Sequence, residues 1–340
     1  MPRTDLKALS KRELNSFLKG LGLPSFRAKQ LLHWIYEKHA ESIDEITEFA
    51  KDMRTRLSGL AFISNLTVLK RQRSTDGTEK FLFGLQDGEC IESVLIPDKD
   101  RLTLCISSQV GCSIGCRFCL TGRLKCKRNL RAHEIVDQII AAARLIEPRR
   151  ITNIVFMGMG EPLANFDEVV EALWRMTDFM HISKRRITVS TSGIVPVISE
   201  LAGRAPRVNL AISLNATTDE VRNRIMPVNR KYPLNSLLTA CRRFPLERRR
   251  RITFEYVMLR GINDTPDDAQ RLTRLLKGIP SKVNLIPFNS HSGSDLQRPS
   301  EEEIERFQKI LLGGGITALI RKSKGGDILA ACGQLKADYR

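Results

Sequence analysis

Three cysteines, Cys112, Cys116 and Cys119, stand at the spacing CxxxCxxC directly after an apolar run. Thiolates at this spacing can reach one metal centre from a single loop, and the glycines within and beside the loop let the backbone fold tightly around it. A cluster of four irons that is held by only three cysteines keeps one iron without a protein ligand. An open iron can bind and reduce a small molecule, so the spacing favours a catalytic iron-sulfur site.

A structural zinc site is the alternative interpretation of these thiols. Cys126 could supply the fourth ligand that closes such a site. Zinc ribbons usually pair two CxxC knuckles, however, and this chain has no such pair. The ligand count and spacing therefore favour a cluster with one open iron.

Two cysteines outside the loop are candidate reactive thiols. Cys332 lies among small residues that follow a glycine pair, which is typical of a mobile loop carrying an accessible thiol. Cys105 lies on the apolar run before the cysteine loop, and the alternation along a strand points its side chain away from the face of Leu104 and Ile106. The remaining thiols are interpreted as structural or incidental, namely Cys90, Cys126 and Cys241.

Glu92 is a candidate proton acceptor in a short strand predicted over 90–96. Alternation along this strand places it on one face with three less polar residues, Cys90, Val94 and Ile96. If this face is buried, desolvation raises the pKa of the carboxyl group and suits it to accept a proton. The alternative is that this face is exposed and that Ile91 and Leu95 pack inward.

The elements that must position these groups alternate along the chain. Apolar runs predict six strands, at 102–106, 151–156, 187–190, 208–213, 252–257 and 283–286. Helical periodicity predicts helices between them, at 134–146, 169–176, 195–201, 220–225 and 267–276. This alternation predicts an α/β fold with a parallel sheet and right-handed crossovers, closed or partly closed as a barrel.

Polar motifs follow the predicted strands, where the functional groups of such sheets gather. The cysteine loop follows the first strand, MGMGEP follows the second, STSG follows the third, and SLN ends the fourth. In the second motif, Gly160 leaves room for a ligand beside the backbone, and Glu161 offers an acceptor to an ammonium or hydroxyl group. Short polar side chains suited to ribose and amino-acid atoms lie at the same rim, namely Ser190, Ser213, Asn215 and Asn289. The rim is therefore predicted to bind a cofactor.

Two smaller segments precede this core. Apolar residues recur at helical spacing from about residue 6 to 62, with a break at 20–24, so residues 1–64 predict a helical module. Its helices carry many Lys and Arg residues, which makes it a candidate RNA-docking domain, with an ordinary solvated surface as the alternative. Strand-like runs separated by Asp-Gly pairs then predict β-hairpins over 65–98.

The composition limits the classes of function. The 340 residues are 42% hydrophobic, which is enough for a substantial core, and the length suggests about two domains. The net charge of +17 indicates a polyanionic partner, most commonly nucleic acid. We expect no membrane association, since no apolar run reaches about 18 residues and no signal-peptide core is present. Eight cysteines, three of them in a metal motif, indicate a reducing compartment, so we expect a cytoplasmic protein.

The sequence as a whole resembles the RlmN/Cfr family of radical S-adenosylmethionine (SAM) enzymes, which methylate adenosine in RNA. CxxxCxFC is the signature of radical SAM enzymes, and the aromatic position is Phe118. The resemblance extends over nearly the entire chain, and its most specific motifs are IESVLIP, LCISSQVGCSIGCRFCLTG, MGMGEPLANF, VSTSG, SLNATTDEVRNRIMP, IPFN and AACGQL. One departure is Asn215, where many members have His, and an amide still offers donors and an acceptor.

The resemblance implies a partial (β/α)6 barrel at 99–322, with the helical domain at 1–64, the hairpin extension at 65–98 and a C-terminal segment at 323–340. It implies that Cys112, Cys116 and Cys119 ligate a 4Fe-4S cluster and that SAM chelates the open iron. The positions that match the family's SAM contacts are Gly160, Glu161, Ser190, Ser213, Leu214, Asn215 and Asn289.

The family's chemistry implies roles for three further residues. One SAM molecule methylates Cys332, and a second is cleaved to a 5′-deoxyadenosyl radical that takes a hydrogen atom from this methyl group. The carbon radical adds to the adenine ring, and Cys105 then releases the product by forming a transient disulfide with Cys332. Glu92 matches the family's proton acceptor. Such a carrier suits adenine, because its amidine carbon is not nucleophilic and ordinary methyl transfer from SAM fails there.

The family contains carbon-2 methyltransferases of 23S rRNA and tRNA and carbon-8 methyltransferases of rRNA. The long helical N-terminal module favours carbon-2 methylation, at the peptidyl transferase centre and next to the tRNA anticodon. The resemblance also implies a flavodoxin or ferredoxin as electron donor and a monomeric enzyme. Two other hypotheses remain open, namely a zinc-stabilised RNA-binding protein without activity and a radical SAM enzyme with a small-molecule substrate.

Basic clusters are expected to guide the RNA to the site. They lie beside the cysteine loop and in two later runs, namely Arg117, Arg123, Lys125, Lys127, Arg128, Arg131, residues 184–186 and residues 248–251.

Overall fold

The computed structural model describes residues 3–291 and 293–335. Its first module is mainly helical and consists of β1 (Thr4–Asp5), α1 (Lys11–Gly20), α2 (Phe26–Tyr36), α3 (Lys51–Leu60) and β2 (Ala61–Phe62). The helix α1 begins at a capping box in which the Ser10 hydroxyl accepts from the backbone of Glu13. Strands β1 and β2 pair in parallel and close the module. The predicted helical segment is present, with helices on both sides of the break at 20–24.

An antiparallel extension connects this module to the core. It consists of β3 (Thr67–Arg73), β4 (Glu79–Gly84) and β5 (Cys90–Asp98), which leads into β6 (Arg101–Cys105). The two Asp-Gly turns lie where the sequence predicted them, and both glycines have positive φ. Because β5 pairs with β6, the extension and the core form one continuous sheet.

The core alternates strands and helices, as the sequence predicted. After β6 come β7 (Gln109–Val110), α4 (Leu120–Arg123), β8 (Arg128–Asn129), α5 (Ala132–Ile146), β9 (Asn153–Phe156), α6 (Phe166–Asp178), β10 (Ile187–Thr191), α7 (Val195–Arg204), β11 (Asn209–Ser213) and α8 (Asp219–Ile225). The remaining elements are α9 (Leu234–Arg243), β12 (Ile252–Met258), α10 (Pro266–Leu276), β13 (Ser281–Pro287), α11 (Glu301–Gly313) and β14 (Ala318–Ile320).

The main sheet has ten strands in the order β14-β13-β12-β11-β10-β9-β6-β5-β4-β3. The seven strands from β14 to β6 are parallel, and the last three are antiparallel. Strands β3 and β14 form the two edges, so the barrel is partial, as predicted. All six predicted core strands are present, and β14 extends the sheet beyond them. Parallel strands bring their carboxyl ends to one rim, where the motifs lie.

The helical module is fixed to the core by a buried polar network. Lys7 forms an ion pair with Asp137 on α5, and both side chains are almost fully buried. Arg175 on α6 donates to the carbonyl oxygen of Lys7 at 2.6 Å and to the hydroxyl oxygen of Tyr36 at 3.1 Å. These contacts give the module a defined position on α5 and α6.

No helix in the described part of the chain is both long and apolar enough to cross a membrane.

Candidate active site

The three cysteines of the CxxxCxxC motif lie in the loop between β7 and α4, at the rim of the sheet. The backbone N–H of Cys119 donates to the carbonyl oxygen of Cys116 at 3.2 Å, and that of Arg117 donates to Ile225 at 3.0 Å. The loop turns so tightly that a Cβ atom on Gly122 would lie 2.7 Å from the carbonyl oxygen of Cys116. A glycine is therefore needed there to bring the third cysteine back towards the second.

The three thiols of this loop are half-buried and influence one another electrostatically. Burial raises the pKa of Cys112 to about 12, and burial together with the neighbouring Cys119 and Cys112 raises the pKa of Cys116 well above its ordinary value. Because the thiolate is the form that binds metals, a bound cation would reverse these shifts. The loop thus presents three thiols, and a bound metal cation would stabilise their thiolate forms.

The donor set fits an iron-sulfur cluster. Ligands of a cluster bind different irons, so they need not converge on one point as the ligands of a zinc ion must. Within residues 3–291 and 293–335, no group of three or more His, Cys, Asp or Glu side chains is placed to hold a metal ion. The thiol of Cys126 lies 3.9 Å from the carbonyl oxygen of Arg128.

Glu161 connects the loops that follow two neighbouring strands, β9 and β10. Its carboxylate accepts from the backbone N–H of Ser192 at 2.7 Å and of Leu163 at 3.0 Å. Burial raises the pKa of Glu161, and these hydrogen bonds partly offset the rise. The side chain of Gln109, beside the cysteine loop, accepts from the backbone of Glu161 at 2.8 Å. The predicted cofactor motif is thereby fixed to the cysteine loop.

Gly160 is needed for packing within the protein. It has a φ of +99°, and a Cβ atom there would lie 2.6 Å from the Cβ atom of Gln109. The space beside the Gly160 backbone, which the sequence assigned to a ligand, is occupied by the side chain of Gln109. Among the other predicted contacts at the rim, Ser190 and Leu214 are buried, while Ser213 and Asn289 are half-buried.

Asn215 uses its side-chain amide inside the protein. Its Oδ1 accepts from the backbone N–H of Val257 at 2.8 Å, and its Nδ2 lies 3.1 Å from the sulfur of Met226. The backbone φ of Asn215 is +59°, a conformation that asparagine adopts more readily than most residues. This position therefore shapes the rim through its backbone as well as its polar atoms.

Arg222 is a rim residue that the sequence analysis missed. It is fully buried on α8, and its guanidinium donates to the carbonyl oxygens of Leu214 at 2.9 Å, Ser192 at 2.6 Å and Ser213 at 3.1 Å. Burial lowers its pKa to about 10, and the proximity of Cys116 opposes this shift. Nothing in the sequence of α8 distinguishes it from Arg224, because only the fold shows which arginine points inward.

The C-terminal loop that carries Cys332 is docked on the same rim. The backbone N–H of Leu120, directly after the third cysteine, donates to the carbonyl oxygen of Gly333 at 2.7 Å. The side-chain amide of Asn289 donates to the carbonyl oxygen of Cys332 at 3.1 Å. The hydroxyl of Thr121 donates to the carbonyl oxygen of Leu335 at 2.7 Å. The loop therefore sits beside the cysteine loop.

The start of the same loop is held by the turn between β3 and β4. The hydroxyl of Ser74 donates to Asp327 at 2.6 Å, and the backbone N–H of Gly325 donates to Asp76 at 2.9 Å. The sequence predicts a mobile loop here, whereas the structure holds its start by these two hydrogen bonds, so movement of Cys332 has to break them or move the β3–β4 turn as well.

Cys332 and Cys105 are desolvated thiols, and a charge on Cys332 opposes the ionisation of Cys105. Cys332 is exposed to solvent, yet the surrounding protein desolvates its thiol and raises its pKa, with a further contribution from Glu255. Cys105 is buried at the end of β6, and burial followed by the charge of Cys332 raises its pKa. The fold thus brings together two thiols that are 227 positions apart in the sequence, from 105 to 332.

Glu255 is a second residue that sequence analysis missed. It is buried on β12, and its carboxylate accepts from the side-chain amide of Asn284 at 3.0 Å. Burial raises its pKa, because the charged form is desolvated. A carboxylate within the apolar run 252–257 was a usable signal, since buried parallel strands seldom carry an unexplained charge.

Glu92 is buried on β5, on the face that the sequence analysis proposed. Ile91 and Leu95 are also buried, so the strand is covered on both faces and the two alternatives were not exclusive. The carboxylate forms an ion pair with Lys80 on β4, with 3.0 Å between Nζ and Oε1. The pairing is diagonal across the two strands, because Lys80 stands opposite Val94.

Several members of the predicted basic clusters are engaged in ion pairs. Beside the cysteine loop, Arg117 pairs with Asp295 at 2.9 Å, and Arg128 pairs with Glu134 at 2.8 Å. Lys127 also contacts a carboxylate, that of Glu89. Lys125 is exposed and remains available to a polyanion. The electrostatic attraction for RNA is thus smaller than the count of basic residues suggests.

Comparison with known proteins identifies the family. A model described as the radical SAM superfamily matches residues 106–275, and one described as the ribosomal RNA large subunit methyltransferase N-terminal domain matches residues 4–63. A protein from Geotalea uraniireducens (strain Rf4), named dual-specificity RNA methyltransferase RlmN, is 56% identical over 338 residues, covering 99% of this chain and 97% of the relative. The chain belongs to the RlmN family of radical SAM enzymes. An RlmN of Geobacter sulfurreducens is likewise 56% identical, over 98% of this chain and 92% of its own length.

A solved structure supports the same assignment. The crystal structure of a radical SAM methyltransferase from Sphaerobacter thermophilus superposes with a TM-score of 0.94 and 44% identity, covering 98% of this chain and all of the other. The predicted fold and the predicted enzyme class are both confirmed. Membership of the radical SAM superfamily also confirms the two predicted cofactors, a 4Fe-4S cluster and SAM.

Proposed function

We propose that this chain methylates carbon 2 of an adenosine in 23S rRNA, at the peptidyl transferase centre, and in tRNA, next to the anticodon. The curated relatives are named dual-specificity RNA methyltransferases, and the similarity extends over 99% of the chain. The observation that carries the proposal is the docking of the Cys332 loop on the cysteine loop, through Leu120 and Gly333. A carrier thiol has to lie beside the cysteine loop, because the SAM that supplies its methyl group would bind there.

The residues at the rim would hold both cofactors. Cys112, Cys116 and Cys119 would ligate the 4Fe-4S cluster, while SAM would contact Gly160, Glu161, Ser190, Ser213, Leu214, Asn215 and Asn289. When bound together, the two cofactors supply a methyl group and the one-electron chemistry that an unactivated carbon requires. Buried acceptors such as Glu161 suit the ammonium group of SAM, and burial strengthens this contact.

Three side chains would handle the methyl group and the protons. Cys332 accepts the methyl group on its sulfur and carries it to the base. Glu92 accepts the proton that leaves carbon 2 of adenine. Cys105, as a thiolate, then attacks the sulfur of Cys332 and forms a disulfide. The bond between that sulfur and the methylene carbon breaks, and this carbon takes up a proton to become the methyl group of the released base. The position of both thiols at the rim supports this pairing, because Cys105 ends β6 just before the cysteine loop and the Cys332 loop is docked on that loop.

The rest of the chain would bind the RNA and receive electrons. We propose that residues 1–64 dock RNA and that residues 323–340 form the segment that carries the methyl group. Residues 65–98 form the extension, and residues 99–322 form the core. Positions 1–2 and 336–340 lie outside the described residues. The net charge of +17 supports a polyanionic substrate. The enzyme would act as a cytoplasmic monomer with a flavodoxin or ferredoxin as electron donor. A base that is stacked in the RNA must leave the stack to reach Cys332.

Anaerobic reconstitution followed by nucleoside mass spectrometry tests this function. The protein is reconstituted with iron and sulfide and incubated with SAM, a reductant and protein-free 23S rRNA or tRNA. We expect 2-methyladenosine in both RNAs. Formation of 8-methyladenosine would overturn the assigned position, and the absence of any methyladenosine from a protein with a full iron content would overturn the methyltransferase proposal.

A further inference from the structure

Lys80 is a buried cation whose two contacts belong to different parts of the proposed site. Its side chain is about 10% exposed, and its Nζ lies 3.0 Å from Oε1 of Glu92. The same Nζ donates to the carbonyl oxygen of Leu329 at 3.2 Å. Leu329 stands three residues before Cys332, so Lys80 touches both the proposed proton acceptor and the loop that carries the methyl group.

The burial of Lys80 is not explained by stability alone. Removing an ammonium group and a carboxylate from water is costly, and a buried ion pair is often no more stabilising than apolar residues of the same volume. Leu82, two residues further along β4 and therefore on the same face as Lys80, is apolar and buried, so this face can bury an apolar side chain. A lysine at this position therefore indicates a requirement for its charge and its three donors.

The turn at Leu329 is a conformation that needs support. Leu329 has a φ of +51°, which is unfavourable for a residue with a Cβ atom. The backbone N–H of Ala330 donates to the carbonyl oxygen of Gly325 at 2.8 Å and closes the turn from within. Lys80 holds the same turn from the sheet. Loss of this contact would allow the residues before Cys332 to relax.

We infer that Lys80 is a positioning residue, which fixes the Glu92 carboxylate and the Cys332 loop relative to each other. The inference rests on the proposed function, because it takes Glu92 as proton acceptor and Cys332 as carrier. Proton removal and disulfide formation both occur while the base is attached to Cys332. A single cation that touches both groups keeps the attached base aligned with Glu92 during these steps.

The test compares Lys80→Met, which keeps roughly the length but not the charge, with Lys80→Arg, which keeps the charge and the hydrogen-bond donors on a longer side chain. Lys70→Met is the matched control, because Lys70 is exposed on the neighbouring strand β3. Three quantities are measured in one turnover: methyl on Cys332 by peptide mass, the covalent protein–RNA adduct on a denaturing gel, and methyladenosine. A misplaced reacting group can cost about 100-fold in rate.

We expect Lys80→Met to methylate Cys332 at the wild-type level, to accumulate the adduct and to form methyladenosine about 100-fold more slowly. Lys80→Arg should recover most of the product, and Lys70→Met should match the wild type. A Lys80→Met protein with normal product formation, or one in which all three quantities fall together, would overturn the inference. If the wild type itself shows no methyl on Cys332, the proposed function has failed instead.

A second measurement needs neither cofactors nor activity. The rate at which iodoacetamide alkylates Cys332 in the purified chain reports how firmly the loop is held, and peptide mass spectrometry distinguishes this thiol from the other seven. We expect alkylation to be several-fold faster in Lys80→Met than in the wild type and unchanged in Lys70→Met. Equal rates in all three proteins would contradict the proposed contact between Lys80 and the loop.

Discussion

Individual buried charges organise the rim of this enzyme. Arg222 lies within hydrogen-bond distance of the carbonyl oxygens that end β10 and β11, and Glu161 accepts from the backbone between β9 and β10. Hydrogen bonds to backbone groups hold both side chains in one orientation. A cofactor placed at this rim meets polar groups that need little rearrangement.

Replacement of Arg222 by Met should destabilise the protein strongly. The substitution removes the guanidinium donor from the carbonyl oxygens of Ser192 and Ser213, while that of Leu214 keeps the backbone N–H of Ala216. We expect the free energy of unfolding to fall by about 3 kcal/mol. Urea denaturation of the purified chain measures this change. Arg224→Met, an exposed position on the same helix, should change the stability by less than about 0.5 kcal/mol. Equal effects of the two substitutions would show that the hydrogen bonds of Arg222 contribute little.

The elements of the fold differ in how far the sequence predicts them. The six core strands were predictable, because parallel strands covered on both faces are continuous apolar runs. Helix α11 has a recognisable start, the capping box of Ser300 and Glu303, which makes this helix predictable from sequence as well. Strand β14 has only three residues and follows a glycine run, so its pattern is too short to indicate a strand.

The parts of the candidate site that are formed by contiguous residues were predictable from the sequence. The cysteine loop and the strand-end motifs are contiguous, and their spacing indicates their chemistry. The contact of Lys80 with Leu329 joins positions 249 residues apart, and no periodicity predicts such a pair. Arg222 was missed because its burial depends on which face of α8 the fold covers. Glu255 could have been found, since a carboxylate within a buried apolar run is itself a signal.

The ion pair between Lys7 and Asp137 should control how the helical module is held on the core. In Lys7→Met the Asp137 carboxylate remains buried without its counter-ion, and we expect a loss of about 3 to 5 kcal/mol. Denaturant titration measures the loss, and limited proteolysis shows whether the module is released first. Lys29→Met, an exposed change in the same module, is the control.

A second substitution identifies the cause of that loss. Asp137→Asn removes the buried charge and keeps an acceptor for the backbone N–H of Leu66, which Asp137 binds at 2.8 Å. Added to Lys7→Met, it should restore part of the lost stability. If the double variant is less stable than Lys7→Met, the uncompensated charge is not the main cost.

At the scale of the whole molecule, charge is the main feature that prepares the chain to bind RNA. The net charge of +17 is spread over the helical module, the cysteine loop and the later basic runs. This value already subtracts the acidic residues, but they are not spread evenly: Arg117 and Arg128 each have a carboxylate beside them, which weakens their attraction for phosphate. Binding should therefore depend on the basic residues that have no carboxylate beside them.

RNA binding should weaken steeply with salt. If about six phosphates are contacted, the affinity should fall about 1,000-fold between about 50 and 200 mM salt, because each contact releases counterions. Fluorescence anisotropy with a labelled tRNA measures this dependence. Lys125→Met should lower the slope of log K against log salt by about one, because this exposed lysine lies beside the cysteine loop. Lys309→Met, an equal loss of charge at an exposed position on α11, should leave the slope unchanged.

Methyl transfer by a Cys332→Ala protein tests the account most directly. Wild type, Cys332→Ala and a Cys126→Ala control are reconstituted anaerobically, matched for iron content and incubated with SAM, a reductant and protein-free 23S rRNA. We predict 2-methyladenosine from the wild type and from Cys126→Ala, and none from Cys332→Ala despite its normal iron content. Methyladenosine formed by Cys332→Ala at the wild-type rate would contradict the role of this thiol as the methyl carrier.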